Sequence, residues 1–233
     1  MPKELRFYNT LKYEQHGNDW YRRQFRGGNE HLYFESTPGY IYHPFAAERI
    51  FAALPALKMI VVLREPVERA FSAWNHYRDM FDTGTYLERS RDSYRTESNK
   101  LYEALFLGRR EFPGLEECIE IELDLMASGD AHEPGILRRG LYLEQLERYW
   151  QHFPRERILL IGFRSLISDP AKVLGQIAKF LSVDAGGWDR FDHEPRNIRD
   201  YTMALPETQG RFMRDFYAEP NRRLVEEIGE VDW

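Results

Sequence analysis

The stretch Leu57-Lys58-Met59-Ile60-Val61-Val62-Leu63, followed at once by Arg64-Glu65-Pro66, limits the fold more than any other part of the chain. Apart from Lys58 it is a short apolar run, rich in β-branched residues and without polar alternation. Such runs suit a parallel strand covered on both faces. Pro66 then fits the first turn of a helix reaching about Arg78, where its missing N–H costs little. A second run, Arg157-Ile158-Leu159-Leu160-Ile161-Gly162, precedes an apolar stripe at Val173, Leu174, Ile177, Phe180 and Leu181 that predicts a helix over 170–181. Strand, helix, helix, strand, helix in this order predicts an α/β fold with a central, mainly parallel sheet. Ligands of such sheets collect at the carboxyl ends of the strands, so the residues just after Leu63 carry the functional interest.

The remaining elements are read from the same periodicities. His31 to Glu35 predicts a short strand, ended by Ser36-Thr37-Pro38-Gly39. Helices are expected over 44–54, 98–107, 114–126 and 206–228, and an apolar stripe from Tyr142 to Trp150 marks another. Residues 79–135 are charged and weakly patterned, and read as a helical insertion on the acceptor side rather than core. With 233 residues the chain suits a single α/β domain over 1–233.

Composition narrows the function. Hydrophobic residues make up 42% and the formal net charge is −6, which fits a globular protein and argues against broad nucleic-acid binding through bulk charge. Cys118 is the one cysteine, so an internal disulfide is excluded, and it reads as a packed side chain. No window has the roughly 18 apolar residues of a membrane span, and the start, MPKELRFYNT, lacks the apolar centre of a signal peptide. The expectation is a cytoplasmic protein without a metal site.

Arg64 stands where a strand gives way to a helix. A guanidinium there can hold a phosphate bidentately beside the positive end of the helix dipole, and Ser72 can turn a hydroxyl toward the same anion. Arg64 can equally pair with Glu68, leaving Ser72 as a tolerated helix residue; the residue types alone leave both open. The pattern Arg64-Glu65-Pro66-x-x-Arg69-Ala70-x-Ser72 resembles the 3′-phosphate-binding motif of sulfotransferases that use 3′-phosphoadenosine 5′-phosphosulfate (PAPS), nearest to the heparan sulfate and related bacterial branch. Further resemblances run along the chain: Lys3-Glu4-Leu5-Arg6-Phe7-Tyr8, Trp20-Tyr21, Glu35-Ser36-Thr37-Pro38-Gly39-Tyr40, Gly140-Leu141-Tyr142 and Ile161-Gly162-Phe163.

The resemblance implies a three-layer, P-loop-like fold and sulfuryl transfer from PAPS to a hydroxyl or amine acceptor, saccharides among them. It gives Arg64 and Ser72 the 3′-phosphate, adds Tyr142 to the cofactor site, and makes Glu4 the general base. His76, four residues after Ser72 and on the same helix face, matches a histidine of the N-sulfating members. Arg199, with Arg196 second, occupies the place of a basic loop over the nucleotide phosphates. Without the resemblance, Glu4 reads as a surface carboxylate and His76 as a helix-surface histidine. Two departures stand out. The family's first strand and its lysine- and glycine-containing phosphosulfate loop have no counterpart in this sequence, and Ser36 stands where the heparan enzymes carry a lysine. These departures predict weak or absent turnover by this chain alone. The alternative reading is an inactive nucleotide- or glycan-binding remnant. A P-loop kinase ranks below both, since its Gly-x-x-x-x-Gly-Lys-Ser/Thr signature is absent.

Overall fold

The computed structural model describes residues 4–25, 32–86, 100–129, 135–186 and 203–233. Its elements in chain order are α1 (Lys12–Arg23), α2 (Gly39–Tyr42), α3 (Ala46–Ala53), β1 (Met59–Leu63), α4 (Pro66–Asp82), α5 (Lys100–Phe106) and α6 (Leu115–Ala127). A 3-10 turn at Arg138–Gly140 leads into α7 (Tyr142–Trp150), β2 (Ile158–Gly162), α8 (Phe163–Ser168), α9 (Pro170–Leu181) and α10 (Glu207–Ile228). Strands β1 and β2 pair in parallel, Met59 opposite Ile158 and Leu63 opposite Gly162. The protein is therefore α/β with a parallel sheet, as the two apolar runs predict.

Helix ends follow local chemistry. Glu65 caps α4 by accepting the Glu68 N–H at 2.7 Å, with Pro66 in the first turn. Asp169 does the same for α9 through the Lys172 N–H at 3.0 Å, again with a proline next. Each cap satisfies an N–H that the first turn leaves without a partner, worth about 1 kcal/mol. Helix α1 bends at Gly17, which adopts φ 69°.

Covering of β1 on both faces is the expectation that fails. Met59 and Val61 face a cluster built from Leu5, Phe7, Tyr8, Tyr21, Ile50, Tyr149 and Phe153. Ile60 and Val62, on the opposite face, are 38% and 45% exposed. Successive side chains of a strand point to opposite faces, and among the described residues α9 packs on β2 but leaves that face of β1 open. The run 31–35 also fails to form a strand: residues 32–36 carry no regular structure, and Leu32, Tyr33 and Phe34 are exposed.

Residues 100–129, read from sequence as standing outside the core, build its largest cluster. Leu101, Leu105 and Cys118 are fully buried, and with Phe106 and Ile119 they meet Phe71, Trp74 and Tyr77 of α4 and Met213 and Tyr217 of α10. Each large apolar side chain so buried contributes about 1.5–3 kcal/mol. Most of the charged residues that hide this pattern in the sequence, Lys100, Glu103, Glu116, Glu117, Glu120 and Asp124, are exposed on α5 and α6. Cys118 has its Sγ 3.5 Å from the Pro113 carbonyl oxygen, and burial pushes its thiol pKa up, so it is the packed side chain the sequence suggests. No described helix is long and apolar enough to cross a membrane.

Candidate functional site

Arg64 is the first residue beyond β1. Its carbonyl oxygen accepts a hydrogen bond from the Tyr142 hydroxyl at 2.7 Å, which ties the strand end to the first residue of α7. Tyr142 is buried, and that burial raises its hydroxyl pKa. The Arg64 guanidinium lies over the Phe163 ring at 5.2 Å. Nε and Nη2 both reach Glu68 Oε2 at 3.4 Å, so the pairing left open by the sequence is present. It is long and half-exposed, between a residue just ahead of α4 and one in its first turn, a geometry worth a few tenths of a kcal/mol. An anion with better geometry can displace it.

Ser72 and His76 sit one helical turn apart on α4, both half-buried. Helix α4 is held rigidly: Trp74 Nε1 donates to the Pro113 carbonyl at 3.1 Å, and Arg69 Nη2 donates to the Ile136 carbonyl.

That last contact leads to a residue the sequence reading missed. Glu122 of α6 is fully buried, and its carboxylate accepts the backbone N–H groups of Ile136 and Leu137 at 2.8 Å each and of Arg138 at 3.0 Å. Burial raises its carboxyl pKa, while the three N–H donors and the Arg69 charge oppose the rise. The Tyr217 hydroxyl donates to the Leu137 carbonyl at 2.7 Å, and Gln145 Nε2 donates to the carbonyls of Arg139 and Leu141 at 3.0 and 3.1 Å. The turn over 136–141 is thus clamped by side chains of α4, α6, α7 and α10, and it delivers Tyr142 to Arg64. Gly140 is required there, since a Cβ would meet the Tyr217 ring at 2.8 Å.

The chain's C-terminal residues border the same strand ends. Ser165 Oγ donates to Asp232 Oδ2 at 2.7 Å, and the Asp232 carbonyl crosses Gly162 so closely that a Cβ at 162 would lie 1.9 Å from it. The Trp233 ring stands 6.3 Å from that of Tyr142. A cavity of about 250 Å³ opens beside them, lined by Leu160, Gly162, Ser165, Gln176 and Asp232.

Glu4 belongs to a second construction. Three successive backbone N–H groups after it are each received by a side chain about thirty residues on: Leu5 by Glu35 Oε2 at 3.3 Å, Arg6 by Thr37 Oγ1 at 3.2 Å, and Phe7 by the Tyr40 hydroxyl at 3.0 Å. Burial raises the Glu35 carboxyl pKa, opposed by the Tyr40 hydroxyl, the Leu5 N–H and the Tyr21 hydroxyl. Arg6 adopts φ 52°, and its Nε and Nη2 both lie 3.0 Å from Glu4 Oε2. A left-handed backbone at a non-glycine residue costs about 1–3 kcal/mol.

The structure therefore brings Arg64 and Tyr142 together and places Ser72 and His76 on the following helix. It joins Glu4 to Arg6, and no hydrogen bond or ion pair links Glu4 to Arg64. Arg196 and Arg199 lie outside the described residues. Ser36 is exposed between Glu35 and Thr37. Arg109 is engaged with Glu117 at 2.8 Å and with the Ala104 carbonyl, and Arg138 with Glu144 at 3.4 Å. Among the described residues no three His, Cys, Asp or Glu side chains converge to hold a metal.

Residues 44–208 match the sulfotransferase domain family, a span that contains β1, Arg64, α4, α7, β2 and α9. The chain belongs to the sulfotransferase domain family. It is similar to the membrane-associated sulfotransferase kil1 of Dictyostelium discoideum, 23% identical over 95% of the chain and 58% of that protein. It is 27% identical to the human bifunctional heparan sulfate N-deacetylase/N-sulfotransferase 3, over 78% of the chain and 18% of that protein. It thus spans just over half of the first relative and under a fifth of the second. A solved structure, the sulfotransferase from Alicyclobacillus acidocaldarius, superposes with a TM-score of 0.65 at 25% identity, covering 97% of this chain and 83% of that one. Glu4 falls before the matched domain span.

Proposed function

We propose that this sulfotransferase moves the sulfuryl group of PAPS to a hydroxyl or amine acceptor, with a saccharide as the class suggested by the heparan sulfate relatives. The observation that carries the reading is Arg64: a cation at the carboxyl end of β1, its backbone fixed by Tyr142 and its guanidinium only loosely paired with Glu68. Such a group is prepared for a phosphate and gives up little to bind it.

In this reading Arg64 and Ser72 take the 3′-phosphate, with Tyr142 holding Arg64 in place, and Arg199 and Arg196 add charge over the phosphates. The acceptor oxygen or nitrogen attacks sulfur, the bond from sulfur to the 5′-phosphate oxygen breaks, and 3′-phosphoadenosine 5′-phosphate leaves. Glu4 receives the acceptor proton, which requires it within about 3 Å of that proton or one water away. His76 steadies the charge that develops between donor and acceptor. Positioning and charge stabilisation supply the rate, as in phosphoryl transfer.

A binding-only reading is favoured by Ser36, which stands where the resemblance expects a lysine. Calorimetric titration with 3′-phosphoadenosine 5′-phosphate separates the possibilities. Binding is expected for the wild type and loss of it for Arg64→Ala; a folded chain that binds equally well with either residue defeats the assignment. Sulfuryl transfer from PAPS to a panel of saccharide and amine acceptors then distinguishes enzyme from binding module.

A further inference from the structure

We infer that Arg6 is the positioning residue of the Glu4 carboxylate, retained at a left-handed backbone site for the sake of its guanidinium. This rests on the reading of Glu4 as the base. Two described non-glycine residues have positive φ, Arg6 at 52° and Ser182 at 62°. Ser182 follows the last turn of α9, where a left-handed residue is the usual way to end a helix. Arg6 ends no helix. Glycine would take its conformation without cost, so the arginine is there for its side chain.

The surroundings over-determine the conformation. The Arg6 N–H donates to Thr37 Oγ1, its carbonyl accepts from the Thr10 hydroxyl, and the N–H groups on either side are held by Glu35 and Tyr40. The resulting bend brings the side chains of residues 4 and 6 together, which an extended chain does only loosely. Arg6 Nε and Nη2 both engage Oε2 of Glu4. Oε1 accepts no hydrogen bond among the described residues, and the Glu4 side chain is 32% exposed. One carboxylate oxygen is therefore held by Arg6, which leaves the other for an acceptor proton. Arg6 also sets a positive charge against Glu4 opposite the negative charge of nearby Glu35.

The test compares Arg6→Gly, Arg6→Ala and Arg6→Lys with Glu4→Gln in the full chain. Glycine relieves the left-handed strain that arginine and alanine carry alike, so the melting temperature should be higher in Arg6→Gly than in Arg6→Ala. Both should lose kcat by about tenfold or more with KM for PAPS unchanged, and Arg6→Lys should recover part of the loss. Wild-type kcat in Arg6→Gly overturns the inference while leaving the base intact. Wild-type kcat in Glu4→Gln overturns the base reading instead. Carbodiimide labelling of Glu4, read by peptide mass spectrometry, judges the clamp without turnover: it should rise several-fold in Arg6→Gly, and unchanged labelling sinks the pairing.

Discussion

The Tyr142 hydroxyl donates to the Arg64 carbonyl oxygen across 2.7 Å, and this bond joins two residues 78 positions apart. It makes the orientation of the strand-end arginine depend on the turn that precedes α7. Tyr142→Phe keeps the ring and deletes the bond. It should cost about 1 kcal/mol of stability and weaken binding of 3′-phosphoadenosine 5′-phosphate several-fold, as read by urea unfolding and calorimetry. Unchanged affinity would mean that Arg64 is positioned by other contacts.

Glu122 secures that turn from beneath. Replacing it with glutamine puts an N–H donor against backbone N–H groups, and about 1–3 kcal/mol of stability should be lost near neutral pH. Its raised carboxyl pKa means that the folded chain holds the Glu122 proton more tightly than the unfolded chain does. The corresponding stabilisation is complete below the ordinary value of 4.5 and is lost as pH climbs toward the raised one. The stability advantage of wild type over Glu122→Gln should therefore grow as pH falls from about 7 to about 5. Paired denaturant titrations across that range check it, and a pH-independent difference refutes it.

Gly162 meets the backbone of Asp232 where no side chain fits. Gly162→Ala must displace the segment around Asp232 and Trp233, at about 1–3 kcal/mol. Thermal unfolding measures the cost, and a melting temperature equal to wild type would show that this segment moves freely.

The uneven burial of β1 makes a sharper contrast. Val62→Thr, on the open face, should change stability by no more than about 0.5 kcal/mol. Leu63→Ala, at a site 1% exposed, should cost about 2–5 kcal/mol. Equal losses in the two variants would mean that something covers Ile60 and Val62 in solution.

The sequence alone determined what depends on neighbours along the chain. The apolar runs gave β1 and β2, the stripe at Val173, Leu174, Ile177, Phe180 and Leu181 gave α9 as Pro170–Leu181, and Arg64 stood out because a strand ends and a proline-started helix begins beside it. Helix α1 went unread because Gly17 breaks its period and few apolar residues mark a face. Tertiary structure decided the rest: which face of β1 is covered, that 100–129 joins the core, that Glu122 receives three backbone N–H groups, and that Glu35, Thr37 and Tyr40 hold residues 5–7. The division has one physical cause. Periodicity records how a segment divides its own surface between core and water. A carboxylate buried against donors fourteen or thirty positions away leaves no local pattern, because its partner exists only once the chain has closed on itself.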